Sequence, residues 1–87
     1  MKNLTLEHIA QVCKGTYYGP EGKEQEEVQS IITDSRKAES GCLFVPIVGE
    51  RVDAHKFIPQ VMEAGALATL SERLLENADF PYILVES

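Results

Sequence analysis

The segment Cys42-Leu43-Phe44-Val45-Pro46-Ile47-Val48 constrains the fold most, because it is an almost continuous apolar run. A run of this length is typical of a central strand that is buried on both faces of a sheet. Pro46 has no amide donor, so we expect it where strand pairing ends or at a bulge. A helix over roughly residues 55–64 and a strand over residues 66–71 follow. This order predicts a right-handed crossover between parallel strands.

The other segments complete a small α/β domain. Apolar residues at helical spacing predict a helix over residues 5–14, with Thr5 as its cap and Gly15 as its end. Shorter elements are predicted as strands over residues 16–18, 28–33 and 82–85 and as a helical turn over residues 73–78. Ile31 and Ile32 are expected to be the buried part of their strand. We therefore predict a small mixed, partly parallel β-sheet of about four to five strands, flanked by two main helices.

Length, charge and hydropathy fit one small cytoplasmic domain. The 87 residues support a single compact core, and the net charge of −6 argues against nucleic acid, which requires a basic face. Much of the negative charge lies in residues 21–27, which we interpret as a solvated, mobile connection without a function of its own. No segment resembles a signal peptide or reaches the ~20 apolar residues of a membrane span, so the cytoplasm is the expected location.

The sequence contains no convincing catalytic or metal-binding set. Ser35, Asp53 and His55 are the residue types of a hydrolase triad, but Ser35 lies in no nucleophile-elbow pattern. Asp53 is more simply a helix cap, and with His55 it lacks further metal ligands. Cys13 and Cys42 have no metal-ligand spacing, and their apolar positions predict two buried free thiols. We predict no catalytic residue and no metal site in this chain.

A phosphate loop of the nucleotide-triphosphatase type is also missing from the sequence. The pattern requires a glycine, four residues and then Gly-Lys-Ser or Gly-Lys-Thr. Here Gly22-Lys23 is followed by Glu24, and Tyr17 occupies the place of the first glycine. We therefore predict no cofactor, and in particular no ATP site of that kind, within these residues.

Two polar segments that follow apolar strands are the candidate binding site. They are Thr33-Asp34-Ser35-Arg36-Lys37 and Gly49-Glu50-Arg51-Val52-Asp53-Ala54-His55. Ligands of α/β folds collect at the carboxyl ends of parallel strands, so we expect both segments to form the walls of one site for an anionic small molecule. Arg36 and Arg51 can bind phosphate oxygens, and Ser35 allows close approach. Two alternatives stay open: both segments are ordinary polar turns, or Arg36 pairs with an internal carboxylate and holds the loop shape.

These two segments resemble the N-terminal domain of the Mur ligases. The resemblance includes Gly41 to Ile47 between them and Gly65-Ala66 after them. The resemblance covers nearly the whole chain. Gly-Glu-Arg followed by Asp-Ala-His favours the branch that joins D-alanyl-D-alanine to UDP-N-acetylmuramoyl tripeptide over the sister branch that adds the third amino acid. It implies that residues 1–87 are a single domain, the UDP-substrate-binding part of a longer ligase whose central ATPase and C-terminal domains are absent here.

The resemblance also implies a function in cytoplasmic peptidoglycan-precursor synthesis. The full enzyme would use ATP and Mg²⁺ to form an acyl phosphate that an amine attacks, whereas this domain would hold the substrate and perform no chemistry alone. Its partners would be a UDP-sugar peptide and the other domains of the same chain, and we expect a monomer. The residues assigned to the UDP part of the substrate are Thr33, Ser35, Arg36, Glu50, Arg51 and Val52. A stand-alone module that binds a protein partner remains the alternative from another class.

Overall fold

A computed structural model describes residues 4–86 as one sheet with a helix on each face. The helices are α1 Leu6–Cys13 and α2 Ile58–Glu63. The strands are β1 Thr16–Tyr18, β2 Ser30–Ile32, β3 Cys42–Phe44, β4 Ala68–Ser71 and β5 Tyr82–Leu84. Their order in the sheet is β1-β5-β4-β3-β2. Strands β2 to β5 are parallel, and β1 pairs with β5 in the antiparallel sense. The predicted mixed, partly parallel sheet is confirmed.

Strand β3 is buried on both faces, as its apolar sequence predicts. Leu43 belongs to the cluster beneath α1, whereas Cys42 and Phe44 belong to the cluster beneath α2. The strand is shorter than the apolar run, because pairing with β2 ends at the bond from the Val45 amide to the Ile32 carbonyl, just before Pro46. The last apolar residues of the run are therefore exposed, and they belong to a loop.

Helix α1 begins at the predicted cap Thr5, but it ends at Lys14, one residue before the predicted stop Gly15. The Thr5 hydroxyl accepts a hydrogen bond from the His8 amide at 3.1 Å, and Lys14 adopts the left-handed conformation that ends the helix. Gly15 is needed because a Cβ there would lie 2.7 Å from both the Ile83 side chain and the Leu84 carbonyl oxygen. The absence of a side chain lets the chain enter β1 directly against β5.

The crossover from β3 to β4 contains a 3-10 turn, Ala54–Phe57, before α2. Asp53 caps this turn by accepting from the His55 amide, and Pro59 lies in the first turn of α2, where no amide donor is required. Gly65 ends the helix at a φ of +106°, in the left-handed region that favours glycine. The helix cap and the helix stop are as the sequence predicts.

Three local predictions about buried residues and elements are wrong. Ile31 is exposed, because the cluster beneath α1 takes its strand residues from β3, β4 and β5 and leaves this edge strand uncovered. Cys13 is exposed at the end of α1, whereas Cys42 is buried as predicted. Residues 73–78 form turns without a helix, since Asn77 has a φ of +61° and the Tyr82 hydroxyl binds the backbone of Leu75.

The acidic segment, residues 21–27, contains a short turn and contacts α1. It contains the 3-10 turn Lys23–Gln25, and the Nε2 of the Gln25 side chain donates to the Glu7 carboxylate of α1 at 2.7 Å. Lys23 pairs with Glu26 at 3.1 Å. Within residues 4–86, no helix is long and apolar enough to cross a membrane.

We expect Leu43→Ala to lower the free energy of unfolding by about 2–5 kcal/mol, because it leaves a cavity beneath α1. Ile31 pairs with Leu43 in the register of the sheet but is exposed, which makes Ile31→Ala the matched control. That control should cost less than about 1 kcal/mol. Urea unfolding followed by circular dichroism measures both, and equal losses would contradict the described core.

Candidate functional site

Both predicted loops leave the sheet at the same edge. Strands β2 and β3 are adjacent and parallel, with Ile32 beside Phe44 at their carboxyl ends. The first loop, residues 33–37, follows β2, and the second loop, residues 49–55, follows the extension of β3. Because carboxyl ends of parallel strands form the usual ligand edge of an α/β sheet, the topology brings these loops to a plausible binding surface.

The first loop is a 3-10 turn, Ser35–Lys37, held by Asp34. The Asp34 carboxylate accepts from the Arg36 amide at 2.9 Å and from the Arg36 guanidinium at 2.9 and 3.1 Å. These bonds from Arg36 lower the pKa of Asp34 from 3.8 to about 2. Arg36 therefore pairs with an internal carboxylate, the alternative that its sequence position left open, although its side chain is 85% exposed.

The second loop begins as a tight hairpin. The Gly49 amide donates to the Val52 carbonyl at 2.8 Å, and the Ala54 amide donates to the Ile47 carbonyl at 3.1 Å. Glu50 and Arg51 are thus the two residues at the hairpin tip, and both are exposed. Among residues 4–86, Arg51 forms no ion pair, so its guanidinium is available to an anionic ligand.

A buried histidine attaches the base of the second loop to β4. The His55 ring shares a 2.7 Å hydrogen bond between Nδ1 and the Asp53 carboxylate, and its Nε2 accepts from the Glu72 amide at 2.9 Å. The Arg73 guanidinium also donates to Asp53. The bonds from Arg73 and His55 hold the pKa of Asp53 well below its usual range. Asp53 therefore stays ionised and connects the second loop to the segment that follows β4.

Two neighbouring open clefts flank the 3-10 turn Ala54–Phe57. The first cleft, of about 450 Å³, is lined by the first loop and by Ala54, Phe57 and Gln60. The second cleft, of about 420 Å³, is lined mainly by Arg51 to Asp53, by His55 and Lys56, and by Arg73. Arg51 and Lys56 are cations without an ion-pair partner in the described part of the chain, so the second cleft favours anions.

The structure distributes the predicted site residues over both clefts. Thr33, Ser35 and Arg36 line the first cleft, and Arg51 and Val52 line the second. Glu50 is exposed at the hairpin tip. The two loops therefore lie side by side along one edge of the domain, and they line adjacent clefts rather than the opposite walls of a single pocket.

The geometry does not form a hydrolase triad. Both ring nitrogens of His55 are already bonded, to Asp53 and to the Glu72 amide, and the ring lines the second cleft while Ser35 lines the first. Residues 4–86 also contain no group of three or more His, Cys, Asp or Glu side chains that could hold a metal ion.

Sequence reasoning missed the contribution of β4 to this edge. Glu72 and Arg73 follow β4 directly, and they contact His55 and Asp53. The rule that selected the first and second loops applies equally to the carboxyl end of this strand, so the signal was present. Phe57 and Gln60 of the first cleft were treated only as parts of a helix.

Known proteins of similar sequence and fold include ligases that act on UDP-N-acetylmuramoyl peptides. The chain is 42% identical over 77 residues to the UDP-N-acetylmuramoyl-tripeptide–D-alanyl-D-alanine ligase of Bacillus subtilis, covering 88% of this chain. It is 43% identical over 65 residues, 75% of the chain, to the UDP-N-acetylmuramoyl-L-alanyl-D-glutamate–2,6-diaminopimelate ligase of Bacillus cereus. A crystal structure of MurF from Acinetobacter baumannii superposes with a TM-score of 0.80 and 35% identity over 94% of the chain. No family model matches the chain.

These similarities show that the chain belongs to the Mur ligases and corresponds to their N-terminal domain. The prediction from the sequence is thereby confirmed at the level of the family. The chain spans 17% of the Bacillus subtilis relative, 13% of the Bacillus cereus relative and 18% of the Acinetobacter baumannii protein chain.

We predict that Arg36→Gln raises the pKa of Asp34 from about 2 towards 3.8 without reaching it, because the backbone amide at position 36 still donates. A carboxylate with a depressed folded-state pKa contributes stability above its unfolded value and loses it as pH falls. The contribution of this pair is therefore complete above pH 3.8 and disappears as pH falls towards 2.

Nuclear magnetic resonance of the Asp34 carboxyl carbon during an acid titration measures this shift. Arg51→Gln is the control, because Arg51 does not contact Asp34, and it should leave the titration unchanged. An Asp34 that titrates near 3.8 in the unsubstituted chain would refute the bidentate pair.

Proposed function

We propose that this chain is the substrate-docking N-terminal domain of a ligase that joins UDP-N-acetylmuramoyl tripeptide to D-alanyl-D-alanine, and that its two clefts bind the UDP part of that substrate. The observation that carries the proposal is that both polar loops leave one edge of the parallel strands and line adjacent clefts. The names of the similar proteins supply the substrate class.

Each loop would contribute a different kind of contact. Thr33 and Ser35 line the first cleft with small hydroxyl groups, which suit the hydrogen-bonding groups of a nucleoside. Arg51 lines the second cleft and has no partner of its own among residues 4–86, which suits a phosphate oxygen. Arg36 would contact the ligand while it remains paired with Asp34, because its guanidinium already binds that carboxylate. Glu50 and Val52 would complete the facing hairpin.

The remaining parts of the reaction would belong to other domains. The sequence has no phosphate loop, so ATP and Mg²⁺ would bind outside these residues, and this chain would orient the substrate without performing chemistry. The full enzyme would be a monomer. It would act in the cytoplasm, where nucleotide-linked precursors are made. The similarity to the diaminopimelate-adding ligase favours the sister activity as the second candidate, with the same UDP group in the same clefts.

Titration of the chain with UDP, followed by amide resonances, tests the proposal. We expect the amides of Ser35 and Arg51 to move together along one saturation curve, because both loops would contact one ligand. Perturbations confined to residues 21–27, or none at millimolar UDP, would overturn it. The affinity should be modest, because the clefts are open and only one cation of the hairpin is unpaired.

In the enzyme that contains this domain, we predict that Ser35→Ala and Arg51→Ala each raise the KM for the UDP substrate about tenfold, because each removes one polar contact with the ligand. The KM for ATP should not change. Lys14→Gln is the matched control, because Lys14 precedes β1 at the opposite flank of the sheet. Steady-state kinetics with each substrate varied separately gives both constants, and equal increases for both substrates would indicate misfolding and contradict a specific binding role.

A further inference from the structure

The His55 side chain is only 3% exposed, and its hydrogen bonds define its protonation state. Its Nε2 accepts a hydrogen bond from the Glu72 amide at 2.9 Å, so this nitrogen carries no proton. The proton of the neutral ring is therefore on Nδ1, where it is donated to Asp53 at 2.7 Å. The ring connects the base of the second loop to the end of β4 in this one tautomer.

Three apolar side chains of the hairpin are about half exposed. Ile47, Val48 and Val52 of the hairpin are 55%, 50% and 47% exposed. The position of Arg51 relative to the sheet therefore depends largely on two polar connections, from His55 to the Glu72 amide and from Asp53 to Arg73. Loss of either connection should release the hairpin before it affects the core.

We propose that His55 is a positioning residue whose neutral ring holds the second loop on the sheet, so that protonation of the ring releases the loop and weakens UDP binding. The effect on binding rests on the function proposed above, whereas the movement of the loop does not. A protonated ring has a hydrogen on Nε2 that faces the hydrogen of the Glu72 amide, so a bond is replaced by a repulsion.

Charged and polar groups face the ring at both of its nitrogens. The Asp53 carboxylate binds Nδ1 and also accepts from the Arg73 guanidinium. The Glu72 amide donates to Nε2, and the ring is buried. Arg51 and Lys56 line the second cleft together with His55. Glu76 lines a further cleft that His55 also borders, which is formed with Ile58, Pro59 and residues 74–78.

Two substitutions separate hydrogen bonding from protonation. His55→Gln provides a carbonyl oxygen that can accept from the Glu72 amide but does not titrate, whereas His55→Leu provides neither function. His8→Gln is the matched control, because His8 is the other histidine of the chain and is exposed on α1. Urea unfolding of each variant establishes that the core is intact.

The first readout is the amide spectrum of the 87-residue chain without ligand, from about pH 7.5 to about pH 5.5, where histidines ordinarily change charge. We expect the amides of Glu72 and of residues 49–54 to shift with the same midpoint as the His55 ring, in the wild type and in His8→Gln. In His55→Gln these shifts should disappear, and in His55→Leu the loop should already be displaced at the higher pH. Loop amides that ignore the His55 titration, or that titrate equally in His55→Gln, would overturn the proposal.

The second readout is the dissociation constant of UDP. The UDP phosphate also gains a proton in this pH range, which changes its binding to every variant. At each pH we therefore divide the dissociation constant of the wild type by that of His55→Gln, and we compare this ratio between the two pH values. We expect this ratio to rise about threefold to tenfold on acidification. A constant ratio would overturn the effect on binding. If the wild type does not bind UDP even at the higher pH, the proposed function fails, and the loop amides still decide the role of His55.

Discussion

The pairing of β2 with β3 is the constraint on which the binding edge depends. Because the two strands are parallel and adjacent, the chain must leave both of them at the same end, and the two polar loops become neighbours. Cys42, Leu43 and Phe44 are buried on alternate faces of the sheet, so β3 cannot shift by one residue without exposing its core side chains. The apolar core therefore sets the register that brings Ser35 and Arg51 to one surface.

The two loops are stabilised in different ways, and the difference affects what each can do. The first loop is stabilised within itself, because Asp34 binds both the amide and the guanidinium of Arg36. The second loop depends on residues distant in sequence, because His55 and Asp53 bind the chain just after β4. The first loop is thus held by contacts between neighbouring residues, whereas the second requires the assembled sheet.

The features that were predicted correctly are those that local sequence patterns and apolar runs determine. The sheet type, the central strand, the Asp53 cap and the stop at Gly65 each follow from a short stretch of residues and its periodicity. The errors involve neighbours that only the assembled fold supplies. Ile31 looks like a core residue until its edge position is known, and residues 73–78 look helical until the Tyr82 hydroxyl is placed against Leu75.

The same distinction explains why the candidate site was predicted only in part. The loops were found because they follow apolar strands, and the separation into two clefts depends on the turn Ala54–Phe57 that lies between them. The contact of His55 Nε2 could not be derived from the sequence, because its partner is a backbone amide, and every non-proline residue has one.

The domain has a net charge of −6, but the charges along the edge formed by the two loops are arranged so that it can bind an anion. Arg36 and Arg73 are each paired with an aspartate of the site, so their charges mainly hold the loops in place. Arg51 and Lys56 remain as the cations of the second cleft without such a pair in residues 4–86. An anionic ligand would therefore meet two unpaired cations, so the placement of the hairpin would matter more for recognition than the overall charge of the domain.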